Sequence, residues 1–104
     1  MELINVLDII DGNFAVTTDD GNTIYYIVDE HLTEKKEVVL DFMGITIVTT
    51  AFLNAAIGQL YNKFNSEQIS PYLSLRNIDD EDLILFKKVT DRAKQYFAEK
   101  TNRS

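Results

Sequence analysis

The stretch Val38-Val39-Leu40-Asp41-Phe42-Met43-Gly44-Ile45-Thr46-Ile47-Val48-Thr49-Thr50-Ala51-Phe52-Leu53 decides how this chain is read. Residues 38–42 form a short apolar run after a charged stretch, the pattern of a central strand covered on both sides. Gly44 breaks it. Ile45-Thr46-Ile47-Val48 then reads either as an extension of the strand or as a packed loop. Thr49 and Thr50 open a helix over 50–64, with Leu53, Ile57, Leu60, Tyr61 and Phe64 recurring at helical spacing. Gly58 lowers helix propensity by about 1 kcal/mol, so a close contact there is the expected compensation. Asn65 is expected to end the helix in a left-handed conformation.

Working outward, residues 3–10 are rich in β-formers, and Asp11-Gly12-Asn13 is a turn signal. Residues 14–17 read as a second strand, so the pair predicts a hairpin. Asp19-Asp20-Gly21-Asn22 reads as a break. Ile24, Ile27, Val28 and Leu32 mark one face of a helix over about 22–34, capped by Asn22 or Thr23. Toward the other end, residues 71–76 read as a strand with Pro71 first. The acids Asp79, Asp80, Glu81 and Asp82 open a last helix at the positive end of its dipole. Its predicted stripe is Leu83, Phe86, Val89 or Thr90, Ala93, and Tyr96 or Phe97; residues 101–104 are expected to fray. The expected architecture is a single α/β domain over 1–104, ordered β-β-α-β-α-β-α. Its sheet is four-stranded and mostly parallel, with helices packed on it.

Composition narrows the function classes. In 104 residues there are 17 acids and 10 Lys or Arg, for a formal charge of -7. That field repels phosphate backbones, so no nucleic-acid partner is expected, and a partner with a basic patch is suited to it. No apolar run reaches the ~20 residues of a membrane span, so no membrane insertion is expected. Cysteine is absent, which removes disulfides and thiol chemistry. With no signal-peptide pattern at its start, the chain is expected in the cytoplasm. Phosphate-cradling glycine loops and the H-E-x-x-H motif are missing, so no cofactor or metal is expected. The oligomeric state is left open.

Four places are candidates for chemistry. Asp41 ends the predicted central strand; it is either a metal-binding or basic carboxylate, or an acceptor of backbone hydrogen bonds in the loop that follows. Thr49 and Thr50 stand where a strand end meets a helix start, a place where open α/β sheets bind ligands and free N–H groups favour anions. The plainer reading of these threonines is helix capping. His31, the only histidine, and the acids at 79–82 read as surface and helix-start chemistry.

The quoted stretch also resembles the STAS signature, named for sulfate transporters and anti-sigma factor antagonists. That signature reads roughly V-V-L-D-[LF]-S-G-V-x-F-I-D-S-S-G-L. The closer likeness is to the bacterial STAS-like domain of unknown function. In that family an LDF-x-G strand is followed by small hydroxyl residues, then Phe and a helix, here Phe52-Leu53-Asn54-Ala55-Ala56-Ile57-Gly58-Gln59-Leu60. The preceding helix, the following strand with Asn77, and a last helix fit the same plan. The likeness covers about 18–98 and is most specific over 38–60.

The resemblance implies a regulatory binding module rather than an enzyme. In the anti-sigma antagonists a partner kinase of the histidine-kinase-like ATPase fold phosphorylates a serine at this helix start. The family's Asp falls on Thr49, its first serine on Thr50, its usual phosphoacceptor serine on Ala51 and its glycine on Phe52. Ala51 has no hydroxyl, which leaves Thr50 and Thr49 as candidate phosphoacceptors. The implied partner is a kinase-like ATPase or sensor protein, met by Gly44, Thr46, Thr49, Thr50, Phe52 and Asn54, with Gln59 and Tyr61 beyond them. The alternative is a small-molecule or nucleotide sensor that binds an anion at the same helix start. A hydrolase built on Asp41 ranks last, because no nucleophile with its base is recognisable.

Overall fold

The computed structural model describes residues 2–102. The elements are β1 (Glu2–Asn5), α1 (Val6–Ile10), β2 (Phe14–Ala15), α2 (Thr18–Thr33), β3 (Val38–Asp41) and β4 (Ile47–Val48). They are followed by α3 (Thr50–Ala56), a 3-10 helix (Gly58–Asn62), α4 (Ser66–Ile69), β5 (Leu73–Arg76) and α5 (Asp80–Asn102). Pairing is parallel throughout. One sheet has the order β1-β3-β5, and β2 and β4 form a separate pair. The α/β class with parallel strands is present, but the strands divide as three and two rather than into one sheet of four. Of the 101–104 tail, residues 103 and 104 lie outside the described residues.

No hairpin forms at the start of the chain. Glu2–Asn5 runs parallel to Val38–Asp41, and Phe14–Ala15 parallel to Ile47–Val48. Both chains leave the first ladder, after Asn5 and Asp41, and meet again at Phe14 and Ile47. The departure after Asn5 is a helix start: the Asn5 side chain accepts the Asp8 N–H at 3.1 Å. Asp11, at φ 56°, closes the turn by giving its N–H to the Leu7 carbonyl. The β-branched residues at 6–10 suit a strand by propensity, but the cap and the turn override it.

Helix α2 begins four residues before the expected start. Thr17 caps it by accepting the Asp20 N–H at 3.1 Å, and Gly21 lies inside the helix. A Cβ on Gly21 would stand 2.6 Å from both the Ala55 Cβ and the Phe52 carbonyl oxygen. Glycine is therefore what lets α2 and α3 touch. The contact expected at Gly58 is ordinary, since a Cβ there would meet nothing closer than 3.4 Å.

The single helix expected over 50–64 is broken into α3 and the 3-10 helix. Asn65 is not left-handed (φ -93°). It caps α4 in a reciprocal box, accepting the Gln68 N–H at 3.0 Å while the Gln68 side chain accepts the Asn65 N–H at 2.9 Å.

The core lies between the sheet and α2, α3 and the 3-10 helix, with Ile24, Leu40, Phe52, Leu53, Ile57 and Leu60 among its fully buried side chains. Val38, Val39, Leu40 and Asp41 are all buried, as a central strand requires. Val89, Thr90 and Ala93 bring α5 against this core, whereas Leu83, expected in its stripe, is exposed.

The α2–α3 contact makes a direct prediction. Gly21→Ala forces a methyl into backbone and is expected to lower unfolding stability by about 1–3 kcal/mol. Gly12→Ala, with open space around it, should stay within about 0.5 kcal/mol. Urea denaturation of both variants checks this; equal effects would remove the packing account.

Candidate functional site

The site grows from the end of β3. Asp41 is 8% exposed. Its Oδ1 accepts the Met43 N–H at 3.0 Å and the Asn77 Nδ2–H at 2.9 Å. Asn77 follows β5 at φ 56°, a left-handed position that Asn tolerates. One carboxylate thus joins the loops leaving two neighbouring strands. The Asn77 amide, then the Met43 N–H, holds its pKa below the ordinary value; burial opposes this and Arg76 adds a smaller favourable field.

Beyond Asp41 the chain turns sharply, with the Ile45 N–H on the Phe42 carbonyl at 3.0 Å. Gly44 has φ 83°, which suits the third position of a type II turn, and a Cβ there would come 2.7 Å from Leu7 Cδ1. Thr46 gives its N–H to the Asn13 carbonyl at 2.9 Å and its hydroxyl to the same oxygen at 3.2 Å. Thr49 is engaged at both ends. Its Oγ1 accepts the Phe52 N–H at 3.2 Å and donates to the Val16 carbonyl at 2.8 Å, while its N–H reaches the Ala15 carbonyl at 3.1 Å. The first turns of α2 and α3 consequently lie side by side.

Thr50 starts α3 and is exposed, as are Gly44, Thr46, Ala51 and Asn54, while Thr49 is half-buried. Phe52 corrects the sequence reading: expected at the contact surface, it has no exposed area and packs in the core. It cannot serve as an anchor for a partner. Gln59 also turns inward, its Nε2 donating to Asn22 Oδ1 at 2.7 Å. Tyr61 is half-buried beneath Lys94, whose Nζ lies 5.9 Å from the ring centre.

The other candidates lie apart. His31 Nδ1 is 2.8 Å from the Ile27 carbonyl, and its Nε2 is 3.8 Å from Glu2, at the start of β1. Burial, then repulsion from Asp79 and Glu81, raises the pKa of Asp82 at the start of α5. Among the described residues no three His, Cys, Asp or Glu are grouped to hold a metal ion. No helix among them is long and apolar enough to cross a membrane.

Sequence reasoning noticed Asn77 but not its bond to Asp41, and it missed the clasp of Asn13, Ala15 and Val16 on the loop. No local pattern carries contacts that span 33 to 36 residues.

The family model for the STAS-like domain of unknown function (DUF4325) matches residues 20–83, from the first turn of α2 through β5 to the start of α5. No curated protein and no solved structure matches the chain.

The Asp41 clasp has a pH signature. Because its folded pKa is lowered, its contribution is complete above the ordinary carboxylate value of 3.8 and is lost as pH falls through the folded value. Asp41→Asn is expected to lower stability by about 1.5–3 kcal/mol near neutrality. The gap to the wild type should narrow below about pH 4. Denaturation across that range tests it; a gap independent of pH would assign the loss to shape rather than charge.

Proposed function

Because the chain belongs to the STAS-like domains of unknown function, we propose that it is a non-catalytic regulatory module. It binds a protein partner through loop 43–50 and the exposed start of α3. The observation that carries the reading is the exposed Thr50 next to the internally bonded Thr49. The neighbouring hydrogen bonds fix the base, so a change at the Thr50 hydroxyl is presented on a rigid platform. By resemblance to the anti-sigma factor antagonists, the partner is a histidine-kinase-like ATPase or sensor protein, and Thr50 is the place where it writes or reads a phosphate.

Phosphate adds about -1.5 to -2 charges near neutrality. At the middle of an interface that charge must be stripped of water, which disfavours the complex. The sensor alternative has less behind it. Helix α3 is seven residues long, its Phe52 N–H is already taken by Thr49, and the adjacent turn of α2 carries Asp19 and Asp20. A hydrolytic role fits poorly with a carboxylate already spent on two internal donors.

Affinity capture from the native cell with wild type, Thr50→Ala and Thr50→Asp tests the proposal. Wild type and Thr50→Ala should retain one common protein, and Thr50→Asp should retain at least about tenfold less, a change of ~1.4 kcal/mol. Equal capture by all three, or no retained protein, would overturn it.

A further inference from the structure

Exposed apolar side chains stand on both strands of the β2–β4 pair. Phe14 and Ile47 are lateral partners in register, and they are 54% and 48% exposed. Met43, at 59%, stands in the turn four residues before Ile47. Scattered apolar residues on a surface are ordinary, but two facing each other across a ladder form a continuous patch. Neither Phe14 nor Ile47 is needed to fill the core. The patch is mounted on backbone pinned by Thr46 and Thr49, so it is fixed before any partner arrives.

The helices that flank β2 in the chain carry charge of one sign on the sides that lead to it. Asp8 lies on α1, Asp11 closes its turn, and Asp19 and Asp20 lie in the first turn of α2. Asp8, Asp11 and Asp19 are exposed. No Lys or Arg occurs before Lys35, and none occurs between Lys36 and Lys63. The elements that build the patch therefore contain no cation. Arg76 ends β5 in register with Asp41, whose pKa it helps to lower. Lys35 and Lys36 follow the far end of α2, and the other cations begin at Lys63.

We propose that the surface formed by Phe14, Ile47 and Met43 and rimmed by Asp8, Asp11, Asp19 and Asp20 docks a protein surface with apolar side chains flanked by Lys and Arg. This deepens the docking role given to loop 43–50 and rests on it, adding β2 and the α2 start to the contact and giving the partner its chemistry. The apolar centre excludes water, and the acidic rim steers a basic partner and sets its orientation. Long-range attraction of this kind is screened by salt, so association should slow as ionic strength rises.

The test uses isotope-labelled full chain with Thr50 unmodified, and amide chemical shifts as the readout. The probe is a synthetic amphipathic Leu/Lys helix of about 18 residues. The comparators are a Leu/Glu peptide of the same pattern and oligolysine. The proposal predicts saturable Leu/Lys binding with shifts confined to residues 8–20 and 43–51. Binding should weaken between about 50 and about 500 mM salt. Phe14→Thr with Ile47→Thr should weaken it about tenfold. Asp11→Asn with Asp19→Asn should weaken it about threefold and flatten the salt dependence. Shifts centred on α5, equal binding of Leu/Glu peptide or oligolysine, or unchanged binding by both variants would overturn the proposal. Such a failure leaves Thr50-dependent partner capture untouched, and loss of that capture would not move this map.

Discussion

β3 has a neighbour on each edge and no exposed side chain, and the rest of the molecule is arranged around that constraint. A strand paired on both edges spends its backbone donors and acceptors internally. Its chain can then reach the surface only at its ends. At the C-terminal end the exit is closed by Asp41, which holds both the turn it leads into and the loop that leaves β5. The carboxylate sits where the neighbouring parallel strands β3 and β5 release their chains side by side. Its charge strengthens both bonds, because ionised acceptors bind N–H groups more strongly than neutral ones.

The surface proposed to meet a partner continues from that closed exit. The turn at Gly44 leads into β4, β4 pairs with β2, and Thr49 ties the start of α3 to the chain entering α2. Gly21 then lets the two helices meet without a side chain between them. The result divides labour among neighbouring residues. Asp41 and Thr49 hold the backbone, Phe52 fills the core, and Thr50 stays in solvent. Exposed apolar groups stand on β2 and β4, and acidic groups at the start of α2. This gives the proposed module a fixed platform with a modifiable centre and a charged rim.

How much of this was legible depended on how local each signal is. The buried run at 38–41 and the helix start at Thr49 and Thr50 are marked by consecutive residues, and both are present in the structure. The first helix was hidden because Val6, Ile9 and Ile10 favour strands. Asn5 and Asp8, the polar residues in that run, are the cap and the residue whose N–H it accepts. Gly21 looked like a breaker because glycine weakens an isolated helix; its reason is a contact 34 residues away. Phe52 fell outside the expected apolar stripe. Helix α3 meets both α2 and α5, so a single stripe cannot describe its buried surface. The Asp41–Asn77 bond, 36 residues apart in sequence, leaves no local pattern at all.

Hydrogen–deuterium exchange of the protein in complex with a partner captured from its own cells tests the central claim most directly. The account predicts slowed exchange over residues 43–52 together with 13–20, and unchanged exchange along α5. Protection confined to α5 or β5, with 43–52 exchanging as in the free protein, would contradict it.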